Sequence, residues 1–540
     1  MTELQTRLER CVGSDRVLDA EAARSRFGSN CAGYARRLLG AVRPSQTEQI
    51  ADIVAIAREI GCSIYPISTG RNWGYGSSLP VSDDCLLIDL SDLNRILSFD
   101  ADMGIVRVEP GVTQGQLARY LAENGAPYLV PVTGAGPNCS ILANALERGY
   151  GVTPHADHFG ALIALGAILP DGSRYSSPLM QASGEGVGPL FKTGIGPYLD
   201  GLFTQGNFGI VTDAHIALAR KPESVKAILF SLKNEALLGE AVSRVRSILQ
   251  THAGVVGGIN LMNQRRVLSM SVDYPEQVPG DESVLPADLV RRLGAEYQIL
   301  PWTGFGTLYG SKRVVRATCR DIRSALRGVA SRLLFVSSRD AERICTLTRF
   351  VPGRLGSKLA KTAQTLRTGL ELVNGVPNET ALPLAYWGRQ HVKRTDEGQL
   401  NPAKDGCGLL WYAPLVPLKA EAVIRYQAFV TEVMTKWGFE PLITLTTVSD
   451  RVVDSTVPIL FDRNDPSAQA RAHECYWALQ EQGRLQGFFP YRVGVDSMRW
   501  LEERIPESMQ LIGKLKVAID PEGTLAPGRY APLTMETHKQ

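Results

Sequence analysis

The sequence predicts an α+β protein of two domains, one of them assembled from both ends of the chain. Three observations carry this. At 540 residues the chain exceeds a usual single domain of roughly 100–200 residues. Short apolar runs alternate with amphipathic helices in an order too irregular for a doubly wound sheet. The texture also changes near residue 222, from glycine-rich to longer polar and Arg-rich stretches, and reverts near 490. Residues 1–222 and 489–540 are therefore assigned to one domain and 223–488 to a second inserted into it.

The elements follow in order. "RPSQTEQIADIVAIAREIG" predicts an amphipathic helix, with Ile50, Ile53, Ala57 and Ile60 at helical spacing, a Ser45/Glu48 capping box and Gly61 as its stop. "CSIYPIS" reads as a strand and "CLLIDL" (85–90) as a buried one. "NRILSFDADMGIVRVEPG" reads as a hairpin turning between Asp100 and Gly104. "TQGQLARYLAENG" is a second helix, capped by Thr113 and ended by Gly125. Beyond 222, "KPESVKAILFSL" opens as a strand and "EALLGEAVSRVRSILQTHAG" is helical. No short repeat interrupts the chain.

Composition excludes several classes. No apolar run reaches the 18 or so residues of a membrane span, and "MTELQTRLERCVG" lacks the apolar core of a secretion signal. A net charge of +3, from 58 basic and 55 acidic residues, gives no electrostatic case for nucleic acid or a membrane surface. Nine cysteines without a C-x-x-C pair argue against a disulfide scaffold or structural zinc and fit a reducing cytoplasm. Glycine is enriched, at 52 residues, against a usual share of about 7%. Close backbone approach to a large ligand and abundant tight turns both account for that.

"YPISTGRNWGYGSSLP" (65–80) is the most informative loop. It lacks the lysine and hydroxyl of a triphosphate loop, and it opens no helix as a dinucleotide fingerprint does. A strand–loop–strand nest whose amides hold a pyrophosphate and a purely structural glycine turn remain equally open. "TPHADHFG" sets His155 and His158 three apart around Asp157, a spacing common by chance, and no third metal ligand is evident.

Three further stretches accompany the loop: "PVTGAGPNCSILANALERGYGVTPHADHFGALIALGAILPDGS" (131–173), "LDGLFTQGNFGIVTDAHIAL" (199–218) and the terminal "DPEGTLAPGRY". Together with "PISTGRNWGYGSS" they resemble the vanillyl-alcohol oxidase and p-cresol methylhydroxylase family of FAD enzymes, from about residue 40 to 220 and again at 490–530. The resemblance implies an FAD-binding domain made from both chain ends, with an inserted α+β cap (substrate) domain. Pro66, Ser68, Thr69, Gly70, Arg71, Asn72, Gly74, Tyr75, Gly76 and Ser77 would wrap the FAD pyrophosphate. Thr133, Gly134, Asn138, Ile141, Asn144, Gly149, Gly151, Thr153, Pro154, Ile210, Val211 and Arg529 would line other parts of the cofactor.

It also implies a chemistry. Tyr75, Tyr491, Arg492 and Arg529 match the groups that hold a 4-substituted phenol as its phenolate, and Asp157 matches an aspartate beside flavin N5. Hydride would leave the para-benzylic carbon for N5, forming a quinone methide that water can attack. A free phenol titrates near 10, and adjacent cations favour its anion. Read without the resemblance, a Tyr–Arg pair packs domains together and Asp157 bonds local amides. The resemblance gives His158 a structural role and calls for no metal.

The sequence departs from the family in the cap. Leu409 in "LLWYAP" stands where vanillyl-alcohol oxidase has its flavin-linking histidine, so noncovalent FAD is expected, a tyrosyl link staying open. The 441–463 stretch lacks the family's histidines, which predicts an unusual or bulkier para-substituent, and Glu397 aligns with a cap glutamate. Oxygen or a cytochrome would accept the electrons, and a homodimer is implied. Two alternatives stand beside the phenol oxidoreductase: oxidation of a non-phenolic alcohol or complex secondary metabolite, and a flavin-binding protein without turnover.

Overall fold

A computed structural model describes residues 2–275, 284–348, 353–388, 392 and 399–533. Its first sheet grows around the helix Glu48–Ile60, which buries Ile50, Ile53, Val54 and Ala57 and stops at Gly61 in the left-handed region. The strand Ser63–Ile67 follows and pairs in parallel with Cys85–Asp89, which pairs in parallel with Leu38–Val42. The expected Ser45/Glu48 capping box does not form. Gln49 folds back instead, its Oε1 accepting from the amides of Ser45 and Gln46 at 2.8 and 3.1 Å. One residue further on, the longer side chain reaches the same orphan donors.

The predicted hairpin is present as Ile96–Asp100 and Ile105–Val108. It forms the edge of a five-stranded sheet completed by Ile210–Ala217, Leu162–Ile168 and Arg174–Ser176. Thr113 caps the helix Gln114–Glu123 through the Gln116 amide, as expected. The middle of the chain, between Ser224 and Asp462, supplies eight strands of a nine-stranded antiparallel sheet, which the short strand Phe489–Pro490 completes. Two helices, Leu238–Thr251 and Ala420–Lys436, cover it with one apolar cluster that includes Val242, Val245, Tyr426 and Val430. None of the described helices is long and apolar enough to cross a membrane.

The C-terminal segment closes back on the first sheet. Ile64 donates to the Thr524 carbonyl at 2.8 Å and accepts from the Ala526 amide at 2.8 Å. A buried ion pair fixes that return: Lys516 Nζ lies 2.7 Å from Asp520 Oδ2, with both side chains nearly inaccessible. Lys516 also donates to the carbonyls of Asn207 and Leu525, while Asp520 accepts from the amides of Thr524 and Leu525. Burial pushes the Lys516 pKa down, against the pull of Asp520. Removing one member of such a pair strands the other, at about 3–5 kcal/mol. Lys516→Met should therefore lower stability by about that amount in urea unfolding, and a loss below about 1 kcal/mol would contradict the arrangement.

Candidate active site

Between the FAD-type loop and the nine-stranded sheet lies a cavity of about 380 Å³. The 65–77 loop forms one wall. Gly70 takes φ +64°, and a Cβ there would stand 2.3 Å from Ser78 Oγ. At Gly74 a Cβ would fall 1.1 Å from Trp411, so the loop presses directly on the strand Cys407–Tyr412. Only glycine permits that approach. Arg71 lies over the Trp73 ring at 5.2 Å, and burial lowers its pKa.

Most of the expected cofactor residues meet here. Pro66, Ser68, Thr69, Gly70, Arg71, Asn72, Gly74, Tyr75 and Ser77 line the cavity. So do Thr133, Gly134, Asn144, Gly149, Arg492 and Arg529. Four donors are buried there without protein partners, Trp73 Nε1, Ser77 Oγ, Arg492 Nε and Arg529 Nη1, beside one unpartnered acceptor, Glu147 Oε2. Small residues at the closest approaches and unsatisfied donors beside them fit an elongated, anionic cofactor such as FAD.

Other expected residues stand elsewhere. Gly76 is behind the wall, where a Cβ would meet Val495 at 2.7 Å. Asn138 donates to Gln399 Oε1 at 2.6 Å. Ile141, Ile210 and Val211 are buried in apolar clusters, the last two because their strand lies between two neighbours within the five-stranded sheet. Gly151 faces the Val132 carbonyl and His158, Thr153 is buried off the cavity, and Pro154 is exposed. Asp157 is also exposed and outside the cavity. It caps the short helix His158–Ala161 and accepts from the Gly160 amide at 2.8 Å, the local role its sequence context allows. His158 packs against Asn144 at 2.5 Å, and burial takes its pKa down to about 3, so it is neutral. Glu397 lies outside the described residues.

Two of the expected phenol-holding groups, Tyr75 and Tyr491, lie beside a third, Arg492. The Arg492 guanidinium lies 4.1 Å from the centre of the Tyr75 ring and 5.7 Å from that of Tyr491. Burial opposes the charge on Arg492, but Tyr75, Tyr491 and Glu147 together raise its pKa above the ordinary value. Burial raises both tyrosines as well, with Arg492 pulling each back. Tyr491 flanks the cavity from outside its wall and donates to the Arg148 carbonyl at 3.3 Å. Arg529 is held by Glu147 at 2.5 Å.

The nine-stranded sheet adds residues that sequence reasoning missed. Asp454, on the strand Val452–Asp462, is 1% exposed and accepts from the Tyr150 hydroxyl at 2.6 Å through Oδ2. Its Oδ1 has no partner. Burial lifts the Asp454 pKa to about 6, against the Tyr150 hydrogen bond and the Arg492 charge. The available signal was a lone carboxylate inside the apolar strand "VVDSTVPIL". Arg266 reaches the cavity from the helix Gln264–Ser271, and Leu409 occupies the wall where the histidine was expected to be missing. Among the described residues no histidine lines the cavity.

Comparison with known proteins gives the family. An FAD binding domain family matches residues 39–176. The chain is 33% identical over 520 residues to 1'-carboxy-chondrochloren decarboxylase of Chondromyces crocatus, covering 96% of this chain and 95% of the relative. It is 27% identical over 493 residues to the 4-cresol dehydrogenase (hydroxylating) flavoprotein subunit of Pseudomonas putida, covering 91% and 87%. A solved structure of p-cresol methylhydroxylase with substrate bound matches with a TM-score of 0.85 at 24% identity, over 98% of this chain and 97% of that one. With loop, cavity and whole-length similarity in agreement, the chain belongs to the vanillyl-alcohol oxidase and p-cresol methylhydroxylase family of FAD-dependent oxidoreductases.

Proposed function

We propose that the protein oxidises a 4-substituted phenol at the benzylic carbon of its para side chain. The observation that carries this reading is Arg492 set between Tyr75 and Tyr491 beside the cavity. A phenol of ordinary pKa near 10 placed against that cation is favoured as its anion. FAD, when bound in the cradle of residues 66–77, supplies the hydride acceptor. The substrate's C–H bond breaks with both electrons, the phenolate oxygen becomes a carbonyl, and a quinone methide remains. Water adding at the benzylic carbon must lose a proton, and the unpartnered Oδ1 of Asp454 is suited to receive it. We assign to Asp454 the acid–base role that the sequence suggested for Asp157.

A second reading concerns the step after hydride removal, and the relative named as a decarboxylase favours it. A quinone methide with a carboxylate on the adjacent carbon can lose CO2, the bond pair forming an alkene as the ring regains its phenolate. Trapping of CO2 alongside product analysis separates this from water addition. We further propose that 1–222 with 489–540 form the cofactor domain and 223–488 the cap, that the protein is a homodimer, and that oxygen or a redox protein takes the electrons.

The purified protein should be yellow and should bleach anaerobically with a 4-alkylphenol or 4-hydroxybenzyl alcohol. Arg492→Ala should slow that bleaching by about 100-fold or more while FAD content is kept, a loss in the range of one charge-stabilising donor. Equal loss of FAD and activity would make Arg492 structural. Acid precipitation should leave the yellow colour in the supernatant, the result for noncovalent FAD; a yellow pellet would show a covalent link.

Asp454 gives a pH dependence. Its folded pKa is raised to about 6, so the carboxylate that accepts a proton is lost as pH falls through about 6, and turnover should fall with it. Asp454→Asn should reduce turnover by about 10²–10⁴-fold and flatten that limb. The raised pKa also means that this group's contribution to stability is full below its unfolded value and lost as pH rises through about 6. The Asn variant should therefore be no less stable than wild type at pH 8; a marked drop in its thermal midpoint there would mean a structural carboxylate.

A further inference from the structure

Among the described residues, Arg266 is a buried cation of the cavity wall with no ion-pair partner. Arg266 is 8% exposed, and among the described residues its guanidinium donates to two hydroxyls, from Nε to Thr444 Oγ1 at 3.1 Å and from Nη1 to Ser269 Oγ at 3.3 Å. No carboxylate of the described residues lies within ion-pairing distance of it. Its neighbours differ: Arg265 is paired with Glu440 and Arg529 with Glu147. Burial, opposed by no charge of the described residues, brings the Arg266 pKa down to about 10. A buried guanidinium without a counter-ion is costly, and its planar fork matches a carboxylate in two hydrogen bonds.

Its place in the sheet sets it apart from the phenol-holding groups. Thr444, which Arg266 bonds, stands directly opposite Thr456 in the antiparallel ladder. Thr456 lines the cavity and is two residues from Asp454 on the same strand face, a step of about 7 Å. Asp454 interacts electrostatically with Arg492 at the other side. Leu384 and Trp411 contribute apolar wall to the same cavity.

We propose that Arg266, with Thr444 and Ser269, forms a carboxylate subsite, and that the natural substrate is a 4-substituted phenol whose para side chain carries an acid. This rests on the phenol reading above and adds the second anchor. The phenolate sits at Arg492, the reacting carbon beside Asp454, and the side-chain carboxylate at Arg266, joined through an apolar linker. Arg266 is a specificity residue here, remote from the bonds that change.

The test uses the FAD-loaded full chain as wild type, Arg266→Met and Arg266→Lys. Anaerobic flavin reduction is followed with 4-hydroxyphenylacetate, 3-(4-hydroxyphenyl)propanoate and 4-(4-hydroxyphenyl)butanoate, each against the 4-alkylphenol lacking the acid. In wild type, at least one acid should be preferred over its neutral partner. Arg266→Met should weaken that acid's apparent binding by about 10- to 100-fold, the range for hydrogen bonds to a charged group, and leave the neutral phenol within about threefold. Arg266→Lys should restore part of the difference. Equal losses for acid and neutral phenols, or shedding of FAD, would overturn the subsite by assigning Arg266 to the fold or the cofactor. If no phenol of either kind reduces the wild-type flavin, the phenol reading fails. The subsite is then decided by 3-phenylpropanoate, whose perturbation of the flavin spectrum should be present in wild type and absent in Arg266→Met; no perturbation in wild type would overturn it.

Discussion

The contact on which the site depends is the guanidinium of Arg492 between the rings of Tyr75 and Tyr491. A cation over aromatic faces gains most when water is excluded, about 2 kcal/mol or more per desolvated contact. Here it also joins two segments more than 400 residues apart in sequence. Tyr75 arrives on the glycine loop that leaves the first sheet, and Arg492 arrives just after the last strand added to the nine-stranded sheet. Both must be held independently for the ring and the cation to meet. The loop is held because glycine at 74 lets it press on Trp411. The far end of the C-terminal segment is held by Lys516 and Asp520, which tie it to Asn207 and to the edge of the first sheet.

Strand register supplies the rest. Along Val452–Asp462, Asp454 and Thr456 share a face, while Val453 and Val457 are buried in the apolar cluster beneath. Pairing of Thr444 with Thr456 and of Thr446 with Asp454 fixes that face toward the cavity. A slip of one residue would turn Asp454 into the core and bring Ser455 to the substrate side. The same packing that stabilises the sheet thus delivers its carboxylate, and it also desolvates it. Tyr150, from the glycine-flanked "GYG" of the first domain, completes the carboxylate's environment from the opposite body.

How much of this was readable in the sequence follows from the range of the interactions. The helix Glu48–Ile60, the hairpin at 96–108 and the Thr113 cap depend on residues a few positions apart, and each was legible. The tight path of the 66–77 loop was legible because its glycines and its aromatic lie in one stretch. Asp157 was the visible aspartate of a recognisable motif, yet its own helix start captures its side chain. Asp454 gains its character from Tyr150 and Arg492, 304 and 38 positions away. Nothing local distinguishes it beyond a carboxylate in an apolar run. Arg266 was hidden in another way: in "NQRRVLS" it stands beside a second arginine, and only the fold shows that Arg265 pairs with Glu440 while Arg266 is buried.

Charge orders the occupants of the cavity. Its described wall carries four guanidinium groups, Arg71, Arg266, Arg492 and Arg529, against two carboxylates, Glu147 and Asp454. One pairing is internal, Arg529 with Glu147. Arg71 belongs to the 65–77 loop and lies over the Trp73 ring, while Arg492 lies against the rings of Tyr75 and Tyr491. Asp454 holds its proton below about pH 6, so below that pH it offsets little of the positive field. An electropositive, desolvated enclosure raises the stability of each anion placed in it and disfavours cations and neutral alcohols that cannot ionise. On the proposed reading, the field would select first for the acidity of an aromatic hydroxyl, and the local position of each arginine would then decide which end of the molecule lies where.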